Sequence, residues 1–267
     1  MKTFLLVLLV FVIGFFGWLF LTRAEPKSAA VATPLTDTMF IVKDSIINAG
    51  AYESTPSGFY QGMLPCKNCE GIQRTILFSG NEFKMEELSL GKGTAAKQTK
   101  GTWQKLNGKF MLSVNKIVTS EYILVKDSLI NIENNAVRIP DSLLKHNTLF
   151  KKKSPTGNLS WEKRKSEGID IVGSGSDPFW SLEIDNEKLI FFKLTAAGKP
   201  IIVPIEKPIV NKDSTFYSIV TEAGASLKIS ISSSFCHDGI SDHLYEYKMT
   251  VWYKGEMYKG CAVVLAD

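Results

Sequence analysis

The sequence predicts an all-β protein of two small domains that follow one apolar N-terminal segment. Short stretches in which apolar and polar residues alternate recur along most of the chain, as expected of half-buried β-strands. Turn-forming residues separate these stretches at the spacing of β-hairpins. The chain has 267 residues, and without its apolar N-terminus it has the length of two domains of about a hundred residues each.

The charge distribution argues against nucleic-acid binding, and the motifs argue against catalysis. The formal net charge is +4, from 31 basic and 27 acidic residues that are spread along the chain. Nucleic-acid binding would require a clustered basic face. The chain has three histidines and lacks the Gly-x-Ser-x-Gly, His-Glu-x-x-His and phosphate-loop motifs. We therefore expect a binding protein and not an enzyme.

Residues 1–23 are predicted to form a membrane anchor or a signal peptide. From Phe4 to Leu21 the chain contains only aliphatic residues, aromatic residues and two glycines. This segment is nearly long enough to span a bilayer, so an uncleaved anchor is favoured over a cleaved signal peptide. No cysteine follows it as a lipoprotein attachment site. Both alternatives place the two domains outside the cytoplasm, in the periplasmic part of the cell envelope.

Residues 24–57 are interpreted as a spacer and residues 58–150 as the first β-domain. The spacer is rich in Ala, Thr, Ser, Asp and Pro, which form little core. The predicted strands are Gln73–Phe78, Glu82–Leu88, Gly101–Gln104, Lys109–Val114, Glu121–Val125 and Leu129–Glu133. The turn residues between them are Ser79-Gly80-Asn81, Asn107-Gly108 and Lys126-Asp127-Ser128. This pattern predicts an antiparallel meander or a small barrel.

Residues 151–167 are predicted to be a basic linker and residues 168–267 a second β-domain. The linker contains the runs Lys151-Lys152-Lys153 and Lys163-Arg164-Lys165. Such runs are most often solvated, and a patch that binds anionic lipid headgroups is the alternative. In the second domain Leu227, Ile229 and Ile231 alternate with polar residues, which indicates a strand with one buried face.

The close pair Cys66 and Cys69 is the most informative chemical feature of the sequence. Such a pair can form a short disulfide, bind a thiophilic metal or act as a redox pair. The helix required by a thioredoxin-type site is missing, and no second ligand pair for zinc lies nearby. Copper(I) accepts two thiolates and a thioether, and Met63 lies just upstream. A disulfide is the favoured interpretation, followed by a copper contact of Cys66, Cys69 and Met63.

The segment around these cysteines resembles a known family. The motifs, in order, are Tyr60, Leu64-Pro65-Cys66, Cys69-Glu70-Gly71-Ile72, Thr75-Ile76-Leu77 and Gly101-Thr102-Trp103. From Gly58 to Phe150 the chain resembles the N-terminal domain of the NlpE copper-resistance family. The resemblance implies a lipocalin-like antiparallel barrel in the bacterial envelope, linked to copper tolerance, surface sensing and envelope stress signalling. Cys66 and Cys69 match the paired cysteines of that family.

The second domain has three signature segments of its own. They are Gly175–Leu182, Cys236–Asp242 and Tyr258–Ala262. Together they resemble a small uncharacterised bacterial envelope domain, a predicted membrane protein of the META-like neighbourhood, which implies no particular activity. Within the first segment, Pro178-Phe179-Trp180 is expected to anchor the core at the start of a strand.

Cys236 and Cys261 are expected to form a second disulfide. Four cysteines are an even number, and pairing Cys66 with Cys69 and Cys236 with Cys261 keeps each bond within one domain. The second bond would close a loop of about 25 residues and stabilise the domain by roughly 3 kcal/mol. The alternative is a metal cluster formed by Cys236, His237, Asp238, Asp242 and His243.

These observations predict a bacterial envelope protein in copper homeostasis or envelope stress sensing, which acts by binding through the Cys66/Cys69 loop. The expected partners are the membrane, through residues 4–21, a copper ion and other envelope proteins. One alternative is a lipocalin-like carrier of a small apolar or lipid ligand, since barrels of about eight strands can enclose a cavity. The other is a structural adaptor of the envelope.

Overall fold

The described part of the chain consists almost entirely of β-strands. The structure, a computed structural model, describes residues 39–42, 45–48, 55–132, 145–155, 159–185, 189–195 and 199–265. Two short strands come first, β1 (Met39–Val42) and β2 (Ser45–Asn48), and they pair antiparallel. No helix within these ranges combines the length and hydropathy of a membrane span. The anchor predicted at residues 4–21 and most of the spacer lie outside the described residues.

Eight antiparallel strands then form a closed barrel. In chain order they are β3 (Gly58–Leu64), β4 (Ile72–Ser79), β5 (Glu82–Ser89), β6 (Lys97–Leu106), β7 (Lys109–Val114), β8 (Ile117–Val125), β9 (Ser128–Asn131) and β10 (Thr148–Lys152). Consecutive strands pair with each other, and β10 also pairs with β3, which closes the barrel. The predicted all-β fold with an antiparallel barrel is confirmed.

The predicted strands of this domain agree with the structure except at some of their ends. β7 has the predicted bounds, whereas β6 begins at Lys97 and not at Gly101. The first residues of β6 are polar, so they lack the apolar alternation by which a strand is detected. One of them, Gln98, donates a hydrogen bond to the Ser233 carbonyl oxygen of the second domain, at 2.7 Å. The start of β6 is therefore held by a contact with a residue distant in sequence and not by a buried apolar face.

Left-handed backbone at two-residue turns sets the register of the hairpins. Asn107 and Gly108 have φ values of 52° and 75°. A type I′ turn requires positive φ at both positions, and asparagine and glycine adopt it at the least cost. The same geometry recurs at Lys254 and Gly255, with φ values of 51° and 83°, between two strands of the second domain.

Alternate residues of the barrel strands point inward and fill its interior. The buried side chains of this core are Tyr60, Leu64, Ile76, Phe78, Phe83, Met85, Phe110, Leu112, Tyr122, Leu124, Leu129 and Leu149. Near one end, aromatic rings pack edge to face or tilted, with Phe78 and Trp103 at a centroid distance of 6.2 Å and Trp103 and Phe110 at 5.5 Å. The period-two pattern of the sequence thus corresponds to a packed interior.

A nine-stranded antiparallel sheet forms the second β-domain. Its strands are β11 (Ile171–Ser176), β12 (Phe179–Ile184), β13 (Leu189–Lys193), β14 (Ile201–Pro204), β15 (Ile209–Asn211), β16 (Ser214–Val220), β17 (Ser226–Ser232), β20 (Tyr247–Tyr253) and β21 (Glu256–Val264). A short hairpin of β18 (Cys236–His237) and β19 (Leu244–Tyr245) lies between β17 and β20 in the chain. The strand order is β14-β13-β12-β11-β21-β20-β17-β16-β15. Because the edge strands β14 and β15 are consecutive in sequence, the sheet curls around its core.

Trp180 is the largest fully buried side chain of the second core, and glycines make room for it. A Cβ at Gly260 would lie 2.8 Å from the Trp180 ring, and a Cβ at Gly175 would collide with the indole nitrogen. The indole N–H donates to the Lys259 carbonyl oxygen at 3.1 Å. Phe179 points to the opposite face and is 43% exposed. The predicted core anchor is therefore confirmed for Trp180 and wrong for Phe179, because neighbouring strand residues face opposite sides.

Much of the segment predicted as a basic linker, residues 151–167, has regular structure. Strand β10 extends to Lys152, and helix α1 spans Leu159–Ser166. Arg164 of this helix forms an ion pair with Glu183 of β12. Trp161 packs against Tyr245 of β19 at a centroid distance of 6.3 Å. The helix is thus attached to the second domain, and part of its positive charge is neutralised there.

Two buried charged side chains on the outer face of β5 join the barrel to the second domain. The Lys84 ammonium donates to Ser233 Oγ at 2.9 Å and to the Glu246 carbonyl oxygen at 3.3 Å. Burial lowers the pKa of Lys84, and Glu246 opposes this shift. The Glu86 carboxylate accepts a hydrogen bond from the buried Phe235 N–H at 2.8 Å. Because a buried charge without partners is costly, these contacts favour one docked arrangement of the two domains.

Replacing Glu86 with Ala should destabilise the docked protein by about 1–3 kcal/mol, because the Phe235 N–H would remain buried without an acceptor. Urea unfolding followed by tryptophan fluorescence measures this loss. Glu82→Ala is the matched control, since Glu82 lies on the same face of β5 but is exposed, and its effect should stay within about 0.5 kcal/mol. Equal losses in the two variants would contradict the role of Glu86 in docking.

Candidate functional site

The loop between β3 and β4 presents the paired cysteines at one mouth of the barrel. Leu64 ends β3 and Ile72 begins β4, so residues 65–71 lie at the rim. The structure joins Cys66 and Cys69 by a disulfide, with the two Cα atoms 5.3 Å apart. Both cysteines are partly accessible. The exposed residues of the loop are Pro65, Lys67, Asn68 and Glu70. The disulfide is therefore within reach of molecules in solution.

Backbone hydrogen bonds hold this loop against the connection between β5 and β6. The Glu70 N–H donates to the Leu90 carbonyl oxygen at 3.3 Å, and the Leu90 N–H donates to the Gly71 carbonyl oxygen at 2.9 Å. Gly91 has a φ of +76°, and a Cβ there would lie 2.8 Å from the Glu70 carboxylate. Cys69 Sγ lies 3.4 Å from the Gly71 carbonyl oxygen, a contact and not a hydrogen bond because a disulfide sulfur carries no proton. The loop thus has support that does not depend on the disulfide.

Met63 brings a third sulfur atom to the same loop. Its side chain is 40% exposed, and a Cβ at Gly71 would lie 2.8 Å from Met63 Sδ. Glycine at this position therefore lets the thioether lie against the loop backbone. In the disulfide state Cys66 and Cys69 cannot act as thiolate ligands. Reduction would expose two thiolates beside a thioether, which is a donor set that suits copper(I).

A partly buried ion pair lies just inside this mouth of the barrel. Arg74 is the third residue of β4, and its Nε donates to Glu87 Oε1 at 2.9 Å while Nη1 donates to the Tyr122 hydroxyl at 2.7 Å. The Arg74 and Glu87 side chains are 14% and 19% exposed. Burial raises the pKa of the Tyr122 hydroxyl, and Arg74 partly opposes the shift. This network joins three strands inside the barrel, β4, β5 and β8.

The sequence identified the three sulfur residues of this site but missed Arg74 and Glu87. Arg74 has the same strand parity as Ile76 and Phe78, which point into the barrel. A charged residue at an inward position of a strand needs a buried partner. The charge of Arg74 at an inward position is thus the sequence signal by which this residue could be identified. The partner itself could be identified only once the register of β4 and β5 was known, which places Arg74 opposite Glu87.

The second disulfide attaches the β18–β19 hairpin to the sheet. Cys236 of β18 is bonded to Cys261 of β21, with the Cα atoms 5.5 Å apart and a sequence separation of 25. Cys261 lies opposite Ser174 of β11 and Lys248 of β20 in the ladder. Since residues directly opposite in an antiparallel pair share one face, the hairpin lies on the face that carries these side chains.

The turn of this hairpin is organised around the Asp238 carboxylate. Oδ1 accepts hydrogen bonds from the N–H groups of Ile240 and Ser241 at 3.0 and 2.9 Å. Oδ2 accepts from the hydroxyls of Ser241 and Tyr245 at 2.6 and 3.1 Å. Burial acts to raise the pKa of Asp238, but the hydrogen bonds outweigh it and lower the pKa. Asp238 is therefore a structural acceptor within its own turn.

The metal cluster considered for Cys236, His237, Asp238, Asp242 and His243 is not assembled. Cys236 is in a disulfide, and His237 Nδ1 accepts a hydrogen bond from the Gly239 N–H at 3.0 Å. Throughout the described ranges, no group of three or more His, Cys, Asp or Glu side chains is arranged to hold a metal ion. The polar residues of this segment instead stabilise a turn.

Loss of the Cys236–Cys261 bond should cost more stability than loss of the Cys66–Cys69 bond. The sequence separations are 25 and 3, for which the chain-entropy relation gives about 3 and about 2 kcal/mol. The comparison uses the Cys236→Ser/Cys261→Ser and Cys66→Ser/Cys69→Ser double variants in urea without reductant. The opposite order of stability would show that the shorter loop has the larger structural role.

Replacing Asp238 with Ala should speed amide exchange at Ile240 and Ser241 by about tenfold, because both N–H groups lose a charged acceptor. In the unchanged protein this protection should be complete above pH 3.8, the ordinary pKa of Asp. Because the folded pKa is lowered, protection should be lost only as the pH falls through that lowered value. Hydrogen exchange measured by mass spectrometry tests both points. Asp242→Ala, in the same turn, is the control and should leave the two rates unchanged.

Comparison with known proteins places the first domain in a family. The family model described as the NlpE N-terminal domain matches residues 60–142. A predicted lipoprotein from Shewanella oneidensis is 32% identical, with 39% of this chain and 94% of that chain covered and a TM-score of 0.33. The Cpx pathway activator NlpE from Escherichia coli is 14% identical, with 76% of this chain and 95% of that chain covered and a TM-score of 0.30. None of the curated proteins matches. Through its first β-domain the chain belongs to the NlpE N-terminal domain family.

Proposed function

We propose that this chain is a cell-envelope protein of copper homeostasis or stress sensing, and that its reduced Cys66/Cys69 loop binds copper(I) with Met63. The match of residues 60–142 to the NlpE N-terminal domain supports the envelope role. The apolar segment at residues 4–21 would anchor the chain, with both β-domains on the periplasmic side. The protein acts by binding and not by catalysis.

One observation carries the proposal: the Met63 thioether and the Cys66–Cys69 disulfide lie at the same exposed loop, whose backbone is held in place. Met63 Sδ lies against Gly71, and the two cysteines flank the exposed tip of the same loop. Soft thiolate and thioether ligands select copper(I) over harder cations. Because the backbone of the loop is braced at Leu90, the loop should keep its place beside Met63 when the disulfide is broken.

The disulfide makes binding depend on the redox state. An external dithiol supplies two electrons and two protons, by which the Cys66–Cys69 bond becomes two thiols and the dithiol becomes a disulfide. Binding of copper(I) then releases the two thiol protons, because the thiolate is the ligand. The oxidised loop has only the Met63 thioether to offer. Copper binding is therefore restricted to the reduced protein.

The alternative function, a carrier with its ligand inside the first barrel, has less support. Twelve buried side chains pack across the lumen. The Arg74–Glu87 pair occupies the interior near one end, and aromatic rings around Trp103 occupy the region near the other. A carrier would need an apolar cavity where these side chains lie. The barrel is better suited to present the cysteine loop than to enclose a ligand.

The test measures copper(I) transfer from a chromophoric copper(I) chelator to the full chain held in a lipid nanodisc. The reduced protein should take up about one copper(I) per chain, and the oxidised protein should take up none. Cys66→Ser/Cys69→Ser should abolish uptake, and Met63→Leu should weaken it by about tenfold through loss of one ligand. Cys236→Ser/Cys261→Ser should leave uptake unchanged, and so should Met257→Leu, which replaces another exposed methionine.

Two results would contradict the proposal. One is copper(I) uptake by the oxidised protein equal to that of the reduced protein. The other is equal uptake by the reduced Cys66→Ser/Cys69→Ser variant and the unchanged chain. Retention of copper with the same affinity in Met63→Leu would remove Met63 from the ligand set and leave the two thiolates as the site.

A further inference from the structure

The signature segments of the second domain meet at one cleft on the outer face of the sheet. The cleft has a volume of about 510 Å³, and residues of β11, β12, β20 and β21 line it together with the β18–β19 hairpin. Ser176 lies opposite Phe179 in the first strand pair, and Thr250 lies opposite Lys259 in the second. Directly opposite residues share a face. These four side chains therefore form one wall.

The hairpin forms the facing wall, and two features fix its position. The Cys236–Cys261 disulfide attaches its first strand to β21. The hydrogen bonds of Asp238 then hold the turn that carries Ile240. A cleft between a sheet and a cross-linked hairpin exists before any ligand arrives, and such pre-formed sites are typical of small-molecule binding.

Packing accounts for some of the signature residues but not for all of them. Gly175 and Gly260 are needed because the Trp180 ring lies against their backbone. Phe179 and Ile240 have no such explanation, since they are 43% and 77% exposed while both line the cleft. An exposed aromatic ring and an exposed aliphatic tip on two walls of one cleft would bury apolar surface if a ligand entered.

The charges of the cleft favour a ligand with one anionic end. Lys248 and Lys259 both line it, and among the described residues neither has a carboxylate within ion-pair distance. The Asp238 carboxylate is occupied by four donors of its own turn. Asp177 also lines the cleft, at the turn that precedes Phe179, and is exposed. The two ammonium groups therefore outnumber the one carboxylate that is open to a ligand.

We propose that this cleft binds a small amphiphilic carboxylate. Its apolar body would lie between Phe179 and Ile240, and its carboxylate would contact the ammonium groups of Lys248 and Lys259. The volume suits a chain or ring system of modest size. This site is independent of the copper proposal, because it lies in the other domain and uses neither Cys66 nor Cys69.

The experiment uses octanoate that carries a photoreactive diazirine, added to the full oxidised chain in a nanodisc of zwitterionic lipid. After irradiation, mass spectrometry locates the label on the digested chain. The label should lie in residues 174–180 and 236–243, and unlabelled octanoate should compete with it while octylamine does not. Phe179→Ser/Ile240→Ser should lower labelling by about tenfold or more, since it removes two apolar contacts. Lys248→Gln/Lys259→Gln should lower it by about tenfold through loss of charge-assisted contacts.

Matched variants separate specific binding from adsorption. Val220→Ser replaces a residue that is 66% exposed elsewhere on the sheet, and Lys228→Gln removes a charge from β17 outside the cleft. Both should label as the unchanged chain does. All four substituted cleft residues have side chains on the surface, so circular dichroism should report an unchanged fold. Label spread over the chain, competition by octylamine, or full labelling of the two cleft variants would overturn the proposal.

Discussion

Closure of the first barrel is the constraint on which the arrangement of the candidate copper site depends. Strand β10 reaches β3 across the closing seam, where a Cβ at Gly62 would overlap the Thr148 carbonyl oxygen. Glycine is therefore required for the two backbones to approach. Closure removes the free edges of the sheet. It also fixes the direction of β3, so that Met63 and the loop that follows it stand at the mouth.

The same closure determines which face of the barrel is left for the second domain. Once inward positions are filled by the core, Lys84 and Glu86 must point outward from β5. They are nevertheless 6% and 8% exposed, because the residues around Phe235 cover them. Charged side chains at this interface give less burial energy than apolar ones would. Their benefit is that a misplaced docking would leave a charge or the Phe235 N–H without a partner.

The sequence was sufficient for six of the eight barrel strands, β4 to β9, and for the cysteine loop, because these depend on local signals. It did not predict β3 and β10, the two strands that close the barrel. Alternation marks a strand, and residues such as Asn107 and Gly108 mark a turn that few others can form. The docked interface had no such signal, since Lys84 and Glu86 alternate with apolar residues as solvent-exposed charges also do. The cleft also has no local sequence signal. The prediction for Phe179 is wrong because the sequence alone does not show which face of the strand is buried, and Trp180 and Phe179 lie on opposite faces.

The two disulfides differ in what a cross-link can contribute. A bond across 25 residues removes far more freedom from the unfolded chain than a bond across three. The longer bond therefore has an adequate structural explanation, since it stabilises a domain and holds a hairpin over the sheet. The loop of Cys66 and Cys69 is already braced through Glu70 and Leu90. The short bond therefore contributes less to stability than the long one. The chemistry of Cys66 and Cys69 is the better explanation for their presence, because they lie where reductants and metal ions can reach them.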